Sequence, residues 1–182
     1  RDQLRPGVKE QLQRLKKQKV KNLVMLSGDN QGTVDAVSRE LGLTKAYGDM
    51  LPKDKSDHVK RLKEKGQTVA FVGDGVNDSP SLALADVGIA MGGGTDVAIE
   101  TADVVLMNSD ISRLPHALGL AKATALNMKQ NITIAVGVVL LLFAGLFFSS
   151  WVNMSVGMLV HEASILVVIL NGMRLLGYRQ KK

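Results

Sequence analysis

Gly73-Asp74-Gly75-Val76-Asn77-Asp78-Ser79-Pro80 comes directly after Thr68-Val69-Ala70-Phe71-Val72, a short apolar run with β-branched residues. The run has the composition and length of a buried strand. The octapeptide would be costly as a mere loop, because three acidic or amide side chains (Asp74, Asn77, Asp78) stand close together and are threaded with Gly73 and Gly75. Carboxylates at a strand end form a hard-oxygen site, and such a site suits Mg²⁺, which takes carboxylate, water and phosphate oxygens. The glycines let the backbone approach a phosphoryl group. A weaker version lies upstream, where the strand-like run Asn22–Leu26 ends in Ser27-Gly28-Asp29-Asn30. By itself that tetrapeptide is an ordinary turn, yet the Ser27 hydroxyl can donate to a phosphate oxygen. Lys55 opens the helical segment between the two strands. Alone it is a surface lysine, but beside the two loops it can supply positive charge. Positioning, a metal and neutralised oxygens are what phosphoryl transfer needs. Gly92-Gly93-Gly94 is a weaker anion signal, more often simply a loop.

Outward from these loops the chain alternates strand and helix patterns. Helices are expected over Pro6–Gln18, Gln31–Leu41 (closed by Gly42), Lys53–Lys65 (closed by Gly66), Ser79–Ala85 and Thr95–Thr101. Strands are expected over Asn22–Leu26, Thr68–Val72, Val87–Ala90 and Val104–Met107, and a further helix starts near Ser109 or Asp110 and runs on. Strands separated by helices pair in parallel with right-handed crossovers. The expected fold of this part is a doubly wound α/β sheet, whose ligands bind beyond the carboxyl ends of the strands.

The character of the sequence changes near Asn131. From there to Met173 the only formally charged side chain is Glu162. Ile132–Phe148 and about Met154–Leu176 are two apolar runs, long enough with their flanks to cross a ~30 Å hydrocarbon core at ~1.5 Å per residue. Ser149, Ser150 and Asn153 link them, with Trp151 placed as an interfacial anchor. Lys122 and Lys129 precede the pair, Arg174, Arg179, Lys181 and Lys182 follow it, and the link carries neither Lys nor Arg. The positive-inside rule then puts both ends of a membrane hairpin in the cytoplasm. The expected division is 1–126, a sheet domain with its linking helix, and 127–182, two spans with a basic tail. A buried hairpin in a soluble core is the competing reading.

In the second run His161 and Glu162 lie ~15 Å from the Trp151 end, near mid-bilayer. Ionisable residues there are expensive and mark function by default. At ~100° per residue Met154, Met158, His161 and Ile165 share a side, Gly157, Ser164 and Asn171 adjoin it, and Leu159, Leu166 and Leu170 lie opposite, with Glu162 at the margin. Imidazole plus carboxylate suits a borderline divalent transition metal rather than Na⁺ or Ca²⁺. The competing role is polar glue between helices.

The formal charge of +6 over 182 residues raises the question of nucleic acid, but the basic clusters lack aromatic stacking platforms, so no nucleic-acid partner is expected. With no cysteine there is no disulfide, zinc ribbon or thiolate nucleophile. The charged first residues are not a signal peptide.

Gly73 to Pro80, with Asp86-Val87-Gly88-Ile89-Ala90-Met91 and Ser27-Gly28-Asp29-Asn30, closely resembles the P-type ATPases of the haloacid-dehalogenase superfamily. The resemblance implies a partial phosphorylation domain, followed here by a transmembrane helical hairpin. It implies that Asp74 binds the catalytic Mg²⁺ within Gly73-Asp74-Gly75, and that Asn77 and Asp78 hold the phosphorylated loop and the metal site. Ser27-Gly28-Asp29 stands for the family's Thr-Gly-Asp, and Lys55 in Leu51-Pro52-Lys53-Asp54-Lys55 matches its phosphate-contacting lysine. The family's Asp-Lys-Thr-Gly-Thr, which carries the phosphorylated aspartate, is not found, and neither are its ATP-holding nucleotide domain and its actuator domain. The chain is thus expected to be a C-terminal part whose nucleophile lies upstream. His161-Glu162-Ala163-Ser164 and Leu170-Asn171-Gly172-Met173-Arg174 resemble the last helix of the heavy-metal-transporting branch, closest to the subgroup linked to cobalt, iron and zinc. That implies His161, Glu162 and, more weakly, Ser164 as ligands of the transported ion. Ala163 and Ile165 depart from that pattern, where Gly and Thr are usual. A soluble phosphatase of the superfamily, a non-catalytic membrane regulatory module and a ligand-binding α/β module are the rival readings.

Overall fold

The computed structural model describes residues 7–93, 95–107, 110–148 and 153–178. Gly94, the Ser149–Trp151 link and the Arg179–Lys182 tail lie outside the described residues. The elements run α1 (Val8–Lys17), β1 (Val24–Leu26), α2 (Gln31–Leu41), β2 (Lys45–Tyr47), α3 (Pro52–Glu64), β3 (Ala70–Gly73), α4 (Ser79–Leu84), β4 (Val87–Met91), α5 (Asp96–Thr101), β5 (Val104–Leu106), α6 (Arg113–Phe148) and α7 (Met154–Met173). A 3₁₀ turn, Val76–Asp78, precedes α4, and another, Arg174–Gly177, comes after α7. The chain divides into two compact units, Arg1–Pro115 and His116–Lys182. The expected boundary at 126/127 lies within α6, which is unbroken across it.

All strands of the first unit pair in parallel, in two sheets of order β1-β2 and β3-β4-β5. β3 meets β4 in the register Ala70 to Val87 through Gly73 to Ala90, and β4 meets β5 from Ile89 opposite Val104. Strand β2 was not expected from the sequence. It is three residues long, its Lys45 is exposed, and Lys-Ala-Tyr offers no alternation to read.

Local chemistry explains most of the boundaries. Asn30 caps α2 by accepting from the Thr33 N–H (2.9 Å), and Gly42 ends it in the left-handed region at φ 67°. Pro52 opens α3, and Asp54 reaches back to the Leu51 N–H (2.9 Å). Thr95 caps α5. The core is small: Val59, Leu82, Ile89, Ala90, Ala98 and Leu106 are buried between the three-stranded sheet and helices α3, α4 and α5. Asp86 braces this layer. Its carboxylate accepts from the Val69 N–H (2.8 Å) and pairs with Lys63 (3.2 Å), and these two contacts, the backbone bond first, hold its pKa below the usual carboxylate value. The Asp103 carboxylate braces β4, accepting from the Gly88 N–H (2.7 Å).

At Gly88 the strand passes against the backbone of α4. A Cβ there would lie 2.6 Å from the Leu82 carbonyl oxygen and 3.1 Å from its carbon, so it cannot be housed without moving a helix. Gly88→Ala is expected to cost about 2 kcal/mol or more, the scale of overpacking against atoms that cannot rotate away. The check is a lowered thermal midpoint relative to Gly137→Ala, whose added methyl meets nothing within 4 Å and whose backbone is not in the left-handed region.

His58 of α3 stacks on Tyr47 of β2, with ring centroids 4.7 Å apart. Burial, and then the charges of Arg61, Lys45 and Lys65, push its pKa below 6.5. A base whose folded pKa is depressed contributes stability that is present in full above the unfolded pKa and lost as pH falls through the folded one. The contact between β2 and α3 is therefore expected to weaken below pH ~6.5, the free imidazole value. An NMR titration of the His58 ring should show a midpoint below that value, and Tyr47→Ala should raise it.

In the second unit, α6 and α7 are each long and apolar enough to cross a membrane. Along α7 the residues turned toward α6 are Gly157, Ser164, Val168 and Asn171, all at least partly covered, whereas Leu159, Leu166 and Leu170 are exposed.

Candidate functional site

The loops after β1 and β3 both stand at the carboxyl ends of parallel strands, where such sheets bind ligands. After β3, Gly73 has room for no side chain. A Cβ on it would meet the Asp78 Cβ at 2.8 Å and its Oδ2 at 3.0 Å. The chain turns at once through the 3₁₀ segment, closed by the Asp78 N–H donating to the Gly75 carbonyl (3.0 Å), and Asp78 is carried back over the strand end. There its Oδ1 receives the Lys55 ammonium at 2.9 Å. Both side chains are largely buried, with 13 % and 16 % of their surfaces exposed respectively. The first turn of α3, which holds Lys55, is thereby fixed to the loop after β3. Asp74 is exposed, and its carbonyl accepts from the Thr95 N–H (3.1 Å). Gly75 beside it has nothing closer than 3.9 Å to a would-be Cβ, so the approach to Asp74 is open. Asn77 is exposed in the same turn.

After β1, the Ser27 hydroxyl donates to Asp29 Oδ2 (3.0 Å) and accepts from the Asp29 N–H (3.2 Å), so this loop is curled on itself with Gly28 at its tip. A second loop, Gly48-Asp49-Met50 after β2, grips it from behind. The Asp49 N–H donates to the Asp29 carbonyl (2.6 Å) and the Met50 N–H to the Ser27 carbonyl (3.0 Å). Gln31 locks the grip: its Oε1 accepts from the Gly48 N–H (2.6 Å), its Nε2 donates to Asp35 (2.7 Å) and the Ala46 carbonyl (3.3 Å), and its own N–H donates to Asp49 Oδ2 (3.0 Å). Asp49 adopts φ 53°, the left-handed region that a non-glycine residue rarely enters. Gly48 is required, because a Cβ would sit 2.7 Å from the Asp29 carbonyl oxygen and from the Gln31 backbone. Sequence reasoning passed over Gln31, Gly48 and Asp49. The one available signal was the Gly-Asp pair ahead of Leu51-Pro52.

The structure thus joins Lys55 to Asp78 and Ser27 to Asp29, and leaves Asp74 open to solvent. Among the described residues no group of three or more His, Asp or Glu is placed to hold a metal ion. Mg²⁺ uses one or two carboxylates and keeps water and phosphate oxygens for the rest. Asp74 fits such a role by its exposure. The Asp78 carboxylate is already engaged on one oxygen by Lys55.

In the second unit His161 and Glu162 are both exposed, and neither side chain has a partner among the described residues. Ser164 is turned otherwise: its hydroxyl donates to the His161 carbonyl (2.7 Å), and the residue is partly covered on the side of α6. Being adjacent on a helix, His161 and Glu162 point ~100° apart.

A profile of the haloacid dehalogenase-like hydrolases matches residues 1–86. A protein of Bacillus subtilis named "Zinc-transporting ATPase" is 45% identical over 97% of this chain and 27% of its own length. A "Cadmium-transporting ATPase" of Staphylococcus aureus is 40% identical over 99% of this chain and 25% of its own length. The crystal structure of a zinc-transporting PIB-type ATPase in an E2.Pi state superposes with a TM-score of 0.90 at 37% identity, covering 97% of this chain and 28% of that one. The chain therefore spans about a quarter of the length of these relatives. Both of its units are included in the match, the sheet and the paired apolar helices, so the chain is similar along nearly its whole length to a part of these metal-transporting ATPases, and its first unit has a haloacid-dehalogenase-like fold.

Proposed function

We propose that this chain is part of a longer membrane protein that hydrolyses ATP through an aspartyl phosphate and uses the energy to move a divalent transition metal across the cell membrane. The observation that carries the reading is the pair of strand-end loops with Lys55 held over one of them by Asp78 at 2.9 Å. In the cycle we infer, a carboxylate attacks the terminal phosphorus of ATP, ADP leaves, and water later hydrolyses the acyl phosphate. Ser27 and the Gly28 backbone hold one phosphoryl oxygen. Lys55 sets a positive charge beside the others, its place fixed by Asp78. Mg²⁺, held by Asp74 with Asp78 near it, supplies further charge neutralisation when bound.

The nucleophile belongs to a segment outside this chain, and the topology favours one place for it. Among the described residues β1 pairs only with β2, and β3 only with β4. Val72, inside the apolar strand β3, remains 37 % exposed. A parallel strand added between β1 and β3 would give one sheet of order β2-β1-x-β3-β4-β5, whose direction of travel reverses at x. That is a topological switch point, where open α/β sheets bind their ligands.

The second unit supplies the membrane part. α6 and α7 cross the bilayer, both chain ends and the first unit lie in the cytoplasm, and His161 with Glu162 meets the transported ion near the bilayer centre. The 100° between these two side chains implies that further ligands come from other helices. Relatives named for zinc and for cadmium support a divalent soft-to-borderline metal. A soluble phosphatase would have no use for α6 and α7. The test is ATP hydrolysis by the full-length protein across Zn²⁺, Cd²⁺, Co²⁺, Fe²⁺ and Cu⁺. Stimulation by one or more of the divalent ions supports the reading, and stimulation by Cu⁺ alone, or by none, overturns it.

A further inference from the structure

We infer that Asn171 is a positioning residue, which through a clasp to α6 fixes the rotation of α7 and so aims Glu162 and His161. The inference rests on the reading of those two residues as ion ligands. Asn171 sits in a concentration of polar contacts between two largely apolar helices. Its Nδ2 donates to Asn131 Oδ1 (2.8 Å) and to Gln130 Oε1 (3.3 Å), and its backbone carbonyl accepts from Asn127 Nδ2 (2.7 Å). Asn131 Nδ2 donates in turn to Asn127 Oδ1 (3.1 Å), and Arg174 donates to Asn171 Oδ1 (3.1 Å). Asn127 is 8 % exposed, the one polar side chain of the helix pair so enclosed among the described residues. Amides spaced at i and i+4 on α6 therefore meet a single amide on α7.

Elsewhere among the described residues the contacts are less directional, apart from the His116 ring of α6 against Tyr178 just beyond α7, with centroids 5.5 Å apart. The α7 face toward α6 is Gly157, Ser164 and Val168, small or smooth side chains, and no hydrogen bond joins the two helices above Asn131 among the described residues. Packing between aliphatic surfaces in lipid has no hydrophobic driving force and tolerates sliding, whereas each unpaired amide there costs free energy. The clasp is thus the hydrogen-bonded contact, among the described residues, that distinguishes one rotation of α7 from its neighbours.

The consequence for Glu162 comes from helical geometry. Nine residues at ~100° each place Glu162 ~180° from Asn171, so pinning Asn171 against α6 turns Glu162 directly away from it. His161, ten residues back, is ~80° from Asn171, on the flank shared with Met154, Met158 and Ile165. Both groups are exposed in this hairpin. One residue inserted between them and Asn171 would leave Glu162 ~80° and His161 ~20° from Asn171, so that Glu162 leaves this axis and His161 turns toward α6.

The test uses the full-length protein in detergent with Co²⁺, whose visible absorption reports its ligand geometry. One alanine is inserted between Val167 and Val168, which rotates Glu162 by one residue relative to Asn171. A control insertion between Leu176 and Gly177 leaves that relation intact, and Asn171→Ala removes the side-chain bonds of the clasp while leaving the Asn127 bond to the backbone carbonyl. Folding is checked by helical content and by size-exclusion elution. The expected result is weakening of Co²⁺ affinity by ~10-fold or more, the usual cost of losing a group that orients ligands, with an altered Co²⁺ spectrum in Asn171→Ala and in the first insertion, and wild-type behaviour in the control. Unchanged affinity and spectrum in Asn171→Ala or in the first insertion would overturn the assignment. Glu162→Ala is measured alongside. If that variant also binds Co²⁺ as wild type does, it is the ion-site reading itself that has failed.

Discussion

Asp74→Asn in the full-length protein is expected to lower metal-stimulated ATP hydrolysis by ~10³-fold while leaving the fold intact, about 4 kcal/mol of barrier at the usual conversion. The substitution keeps the size of the side chain and removes its charge. Asp74 is exposed and has no salt bridge among the described residues, so its loss leaves no buried partner among them stranded. The backbone of the loop is held independently, by the Thr95 N–H on the Asp74 carbonyl at 3.1 Å. A structural aspartate behaves differently. Asp78 pairs with Lys55 inside a largely buried contact and packs on Gly73, so Asp78→Asn should impair both activity and stability. Comparing activity with thermal midpoint for the two variants separates a metal-binding carboxylate from a bracing one. Equal losses of both quantities at both positions would contradict the assignment.

The second large effect is expected in the membrane. Glu162→Ala should weaken the metal dependence of ATP hydrolysis by roughly 100-fold, beyond the cost of disturbing an outer-shell group, and His161→Ala should act in the same direction. Neither side chain has a partner among the described residues, so their removal breaks no bond seen within the hairpin. An unpaired carboxylate inside a bilayer is costly unless an ion or another helix meets it. Truncating polar glue would lower stability and leave metal dependence alone. Truncating ligands would do the reverse. Ser164→Ala is the contrast: the residue is partly covered on the side of α6, with its hydroxyl oriented by donation to the His161 carbonyl at 2.7 Å, so a smaller change in metal dependence is expected.

Much of the first unit was legible because its punctuation is local. The bounds of α2 are set by Asn30 at one end and Gly42 at the other, and those are the bounds found. The Gly73–Asp78 loop was legible for a similar reason, since its glycines and carboxylates are contiguous. β2 was not. Its three residues have no pattern of their own, and what places them is the grip of Gln31 and the Gly48-Asp49-Met50 loop on residues 27–29, contacts between positions far apart in sequence. Nor did the sequence distinguish Asp86 from a site carboxylate. It sits in a family motif, yet its oxygens are used by the Val69 N–H and Lys63 to tie β4 to the rest of the sheet. In the second unit the helical wheel grouped residues by side, but a wheel has no zero. Asn171 facing α6, through partners 40 or more residues away, supplies it.

The claim that joins the two units is that ion occupancy in the membrane governs phosphoryl transfer at the strand ends. Its most direct test is the formation of an acid-stable, hydroxylamine-sensitive phosphoenzyme from labelled ATP by the full-length protein, with and without the stimulating divalent metal. The account predicts a metal-dependent phosphoenzyme in the wild type, none in Asp74→Asn under either condition, and in Glu162→Ala a phosphoenzyme that no longer responds to metal. Labelling that is equal with and without metal in the wild type would contradict it.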